Sequence, residues 1–155
     1  MPHQCENILA AIVTLMKNAS TDAGTRVYRG RTLAVEEAEG AGDVINVYEG
    51  DENSNPDDVN TRKLRSLEVF VELHKRATPT DVNDPTSLET AANDFLREVE
   101  VALEASVTLS GTCLKFEHQS TRREREGRAD REYRVVTLGL VVVYRTLRTD
   151  PSTQA

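Results

Sequence analysis

Three histidines, two cysteines and a run of carboxylates are the side chains from which this chain could assemble a reactive or metal-binding centre. His3, His74 and His118 stand far apart. None has a second ligand at the HxxxH or HExxH spacing that stacks two metal-binding side chains on one helical face. They read as surface or edge histidines. Without a Gly-x-Ser-x-Gly element, acyl transfer has no nucleophile elbow to work from. Cys5 and Cys113 lack CxxC spacing and are too few for a disulfide framework, so they read as reduced thiols filling a core. Gly40-Ala41-Gly42 lacks the third glycine and the preceding strand of a phosphate cradle. The expectation is a chain with no catalytic residues, no cofactor and no metal.

Two charged stretches remain. Glu49 to Asp58 contains Asp51-x-Asn53-x-Asn55, the opening of a calcium loop, but Pro56 and Arg62 occupy the places where an EF-hand needs glycine and glutamate. A solvated or interface loop is the better reading. From residue 36 to 58 there are nine carboxylates and no lysine or arginine. Ser120 to Arg131 carries five arginines against Glu124, Glu126 and Asp130. It reads as a mixed-charge hairpin tip or as a partner-docking or DNA-proximal arm, docking being the sharper option, because arginine pairs bidentately with carboxylate or phosphate. No aromatic residue interleaves these arginines, so base stacking is not indicated. The candidate interface residues are Arg122, Arg123, Arg125, Arg128 and Arg131 on one side. On the other stand Glu49, Asp51, Glu52, Asp57 and Asp58. In a ring of identical subunits the acidic loop of one copy would meet the basic arm of the next.

The elements that must position these residues follow from periodicity. Tyr133 to Leu147 is β-branched, aromatic and free of proline, so it reads as a long central strand, apolar on both faces and covered above and below. Residues 3–18 place Cys5, Ile8, Leu9, Ile12 and Met16 at helical spacing, and Asn18 to Gly24 stops the helix. Thr25 to Arg31 and Asp43 to Glu49 read as short strands, with Leu33 to Gly42 and Gly50 to Thr61 as loops. Lys63 to Lys75 alternates as a half-buried strand. After the linker Ala77 to Pro85, a capping box of Thr86 and Glu89 opens a second helix striped by Leu88, Ala92, Phe95, Leu96, Val99 and Leu103. Val107 to Gln119 reads as a strand, and Ser120 to Arg131 connects it to Tyr133 in an extended hairpin. Thr149 to Ala155 reads as a flexible tail.

The fold class is α+β: one mixed or antiparallel sheet, two main amphipathic helices packed on it, and a long C-terminal β-hairpin. At 155 residues a single domain, 1–155, is expected, able to bury ~70% of its unfolded surface. The net charge of −7 and pI near 5.0 argue against a free-standing nucleic-acid binder. The longest apolar run is far short of a membrane span, and the N-terminus has no basic signal-peptide region, so a protein made in a cytosol is expected.

In layout the chain resembles the tail terminator proteins of long-tailed phages, of the lambda type. The resemblance covers most of its length. It runs through Ile8-Leu9-Ala10-Ala11-Ile12, Val27-Tyr28-Arg29, and Val44-Ile45-Asn46-Val47-Tyr48 with its acidic sequel. It continues in Leu67-Glu68-Val69-Phe70-Val71-Glu72, the helix from Leu88 to Leu103, and Leu138 to Thr146. The chain departs from the family before Val44, where an acidic, glycine-bearing segment stands in place of an expected proline. The resemblance implies a virion protein without catalysis: a hexameric ring on the head-proximal end of the tail tube that stops tube growth and receives the head. The implied partners are further copies of itself, the tail tube protein and a head-completion or neck protein, with DNA only as passing cargo and no membrane. Assembly would take place in the host cytoplasm. The alternatives are another neck protein, a head–tail adaptor or stopper, and a small cytosolic accessory protein or enzyme domain.

Overall fold

The computed structural model describes residues 2–30, 42–56, 61–78, 84–128 and 131–155, with Pro85, Gly127, Arg128 and Arg131 described by backbone alone. The elements are α1 (Gln4–Asn18), β1 (Val27–Arg29), β2 (Val44–Pro56), β3 (Arg62–Arg76), α2 (Pro85–Glu104), β4 (Lys115–Arg128) and β5 (Arg131–Leu147). The five strands form one sheet in the order β1-β2-β3-β5-β4. β1 runs parallel to β2, and every other pairing is antiparallel. This is the α+β fold expected.

Both helices lie on the same face of that sheet. Ile8, Leu9, Ile12 and Met16 of α1 and Ala92, Phe95, Leu96 and Val99 of α2 share one core with Ile45 and Val47, with Leu67, Val69, Val71 and Leu73, and with Val136, Leu138, Leu140, Val142 and Tyr144. The strand positions are every second residue, as a one-sided layer requires. This corrects the expectation that the helices cover β5 above and below. The opposite face, among the described residues, carries no helix. There Tyr48, Phe70, Val141 and Val143 are half-buried, with the Tyr48 and Phe70 rings stacked at 5.3 Å. β5 is interior but is not the middle strand; β3 is.

Four element boundaries also differ from expectation. The acidic stretch from Gly50 continues β2 as far as Pro56, paired with β3, instead of forming a loop. The arginine-rich stretch is strand, with Arg122 opposite Thr137 and Arg128 opposite Arg131. Residues 107–114 are turns, and β4 begins only at Lys115. The N-cap of α2 is Asp84, whose carboxylate accepts from the Thr86 amide at 3.1 Å and its hydroxyl at 2.7 Å, so Thr86 serves the cap without being it. The Leu33–Gly42 loop, apart from Gly42, and most of the linker before α2 lie outside the described residues. The terminal residues fold back: Thr146 bridges Gln154, the Leu147 amide donates to the Thr153 carbonyl at 3.1 Å, and the Gln154 side chain donates to the Gly111 carbonyl at 2.8 Å.

Candidate assembly surface

The register fixes where the two charged stretches stand. The acidic half of β2 pairs with the start of β3, Pro56 lying opposite Lys63, which itself pairs with Thr146 near the end of β5. The arginine hairpin closes at the other end, beyond the Arg76–Tyr133 pair, and on the other flank of the sheet. Lys63 and Arg76 stand thirteen residue steps apart, about 40 Å at strand rise. The basic tip and the acidic strand end therefore occupy diagonal corners of one sheet.

Within each corner the charges are partly committed. Arg122 pairs with Glu124 on the face opposite α1 and α2 and remains mostly exposed. Arg125 lies on the helix side and reaches Glu89 of α2 at 2.9 Å, clasping the hairpin to the helix. Arg123 forms no ion pair among the described residues and is exposed. Arg128 and Arg131 are register partners at the hairpin end. At the acidic corner Glu49 and Asp51 are exposed. Glu52 is bound internally: one oxygen accepts from the Arg65 guanidinium and the other from the Tyr144 hydroxyl at 2.6 Å. Burial and this hydrogen bond both push the Tyr144 phenol upward. Asp57 and Asp58 lie outside the described residues. Asp51, Asn53 and Asn55, the apparent calcium pattern, sit on alternate positions of an extended strand, which spaces them instead of wrapping them round an ion.

A β-bulge between Glu49 and Glu52 explains how an acid from a polar strand end faces the core layer. One extra residue puts Glu52 opposite Leu67, on the helix-covered side, beside the N-terminus of α1. Strict alternation from Val47 would have sent it the other way. There it meets His3 and Cys5. The His3 Nδ1 accepts from the Cys5 amide at 3.3 Å and lies 3.2 Å from its Sγ. Arg29 holds Glu6 at 2.6 Å, and its hydrogen bond keeps that carboxyl below the usual range. Burial, with help from the carboxylates of Glu6, Glu52 and Glu49, pushes the Cys5 thiol up. Cys113, buried in the core, is pushed up to about 11 by burial alone. Both cysteines are free thiols.

His74 is the sequence reading that the structure reverses most clearly. It is 4% exposed, with Nε2 at 2.5 Å from Glu72 and Nδ1 buried without a hydrogen-bond partner among the described residues. Its strand register is polar-facing, yet its cross-strand partners there, Val44 and Val135, are buried with it. His118 is the edge histidine expected, bonded to the Ser120 carbonyl at 2.8 Å.

No protein-family model and no curated protein matches the chain. Among solved structures, it is similar to a chain described as "Virion of native gene transfer agent (GTA) particle". The two are 14% identical, with 88% of this chain and 93% of that chain covered, at a TM-score of 0.45.

Proposed function

We propose that this chain is a non-catalytic structural protein of a phage-like virion, and specifically a tail terminator. A ring of copies, six by the family resemblance, would dock on the last ring of the tail tube, cover the surface to which another tube subunit would add, and present the opposite surface to the neck. The observation that carries the reading is the diagonal placement of the arginine hairpin and the acidic end of β2. Opposite charges at opposite corners of one subunit cannot satisfy each other internally. They are complementary head to tail between copies, which is the heterologous contact that a closed ring requires. The sheet face opposite α1 and α2, with its half-buried Tyr48, Phe70, Val141 and Val143, supplies apolar area for a neighbour. The chain's net negative charge would keep a ring from holding passing DNA.

The test is electron microscopy of tails made in the absence of this gene. Overlong, ragged tubes without heads are the expected result. Tubes of normal length that fail to join heads would reassign the chain to the adaptor or stopper class. Normal, joined particles would overturn the structural role.

A further inference from the structure

We propose that His3, Cys5 and Glu52 form a three-ligand site for a zinc-class divalent cation, which staples the N-terminus of α1 to the bulged end of β2. Their ligand atoms all lie within 4.8 Å of one another. In a tetrahedral zinc site, metal–ligand bonds of about 2.0–2.3 Å place neighbouring ligand atoms about 3.3–3.8 Å apart. His3 Nδ1 and Cys5 Sγ, at 3.2 Å, stand close to that spacing, and the metal would replace the Cys5 amide as partner of the Nδ1 lone pair. A further approach of about 1 Å by the Glu52 carboxylate would complete the set, leaving the fourth position for water.

The donor set selects the metal. One imidazole nitrogen, one thiolate and one carboxylate suit zinc and its borderline-soft relatives. Calcium takes six to eight oxygens and finds a single carboxylate here. The surroundings are those of a supported ligand, since Tyr144 and Arg65 each donate to one Glu52 oxygen and hold the carboxylate in orientation. A cation at a helix N-terminus opposes the helix dipole. Two of the ligands offset this with negative charge once bound, and the Glu6 carboxylate of the same helix turn adds to it. Capture of the ion would tie together three parts of the fold. α1 is already joined to the C-terminal residues by Gln4, whose backbone N–H donates to the Pro151 carbonyl at 3.3 Å. No spacing rule finds this site, because its ligands come from a helix cap and from a strand 47 residues on, turned inward by a bulge.

The test uses the full chain, reduced and stripped by a chelator, with zinc(II) titrated against a chromophoric zinc indicator. One equivalent per chain is expected, together with a higher unfolding temperature and no response to calcium. Cys5→Ser and His3→Ala are each expected to weaken binding on the order of 100-fold or more. Cys113→Ser, at a thiol buried elsewhere in the core, leaves it unchanged. Cobalt(II) substitution provides a direct readout, a thiolate-to-cobalt charge-transfer band present in the wild type and absent in Cys5→Ser. Circular dichroism of the apo variants separates loss of a ligand from loss of fold. Lack of stoichiometric binding, or binding and a cobalt band that survive Cys5→Ser, would overturn the proposal.

Discussion

Lys75 ties three segments at one point. Its ammonium donates to Asp22 at 2.9 Å and to Asp43 at 2.7 Å, and stands 5.9 Å above the Phe95 ring. Burial alone would push its pKa down, but the hydrogen bonds and charges of the two aspartates prevail and hold it raised. A group whose folded pKa lies above its unfolded value stabilises the fold below the unfolded value, about 10.4 for lysine, and that contribution is lost as pH rises through the folded pKa. Lys75→Met is therefore expected to cost about 1–3 kcal/mol at neutral pH in urea unfolding, because it leaves the Asp43 carboxylate buried without its cation. It should also flatten the alkaline loss of stability. Gly139 shows a different constraint. A Cβ there would stand 2.3 Å from the Ser120 hydroxyl, on the residue that faces it across the β4 bulge. Gly139→Ala is expected to destabilise by about 1 kcal/mol, and adding Ser120→Ala to recover most of it, a coupling that a double-mutant cycle measures.

At the scale of elements, α2 was legible because its stripe repeats at helical spacing over its whole length, and a stripe needs no knowledge of its partner. Its start was misplaced by two residues, since Thr86 with Glu89 fits the capping-box pattern but Asp84 precedes a proline that is well suited to the first helical turn. Asp84→Ala is expected to cost about 1 kcal/mol in thermal or urea unfolding, and Thr86→Ala less, the reverse of the capping-box order. The β4–β5 hairpin misled in the opposite direction. Arg-Arg-Glu-Arg-Glu-Gly-Arg reads as loop because charged residues are depleted in strands. It is strand because it stays in register with β5 from Arg122 opposite Thr137 to Arg128 opposite Arg131, and β5's own pattern is unambiguous. Charged side chains along the exposed edge of β4 also discourage unprogrammed pairing there.

For the whole molecule, the consequential feature is the diagonal separation of charge. Reversing Arg122 and Arg123 to glutamate is expected to weaken self-association in a salt-sensitive way, read by light scattering or sedimentation across ionic strengths. Folding stability should change by less than about 1 kcal/mol, because both side chains are exposed. Unchanged assembly would remove the hairpin from the interface. The sheet face opposite α1 and α2 would add to the proposed contact a contribution that salt does not screen.

Periodicity determined the elements themselves: two amphipathic helices, a strand from Lys63 to Lys75, and a long apolar strand after Tyr133, joined in an α+β fold. These patterns are local and repeat along the chain, so each can be read without its neighbours. Only the tertiary structure decided which faces meet. An apolar strand on both faces looks the same whether helices cover one side or two. A histidine on a polar register can be exposed or, like His74, buried beside apolar cross-strand partners. Whether Glu52 points to solvent or to the core layer turned on a single extra residue in β2, whose position is set by pairing with β3. That bulge is a property of two strands together, and it brings Glu52 to His3 and Cys5 across a chain separation that no local pattern spans.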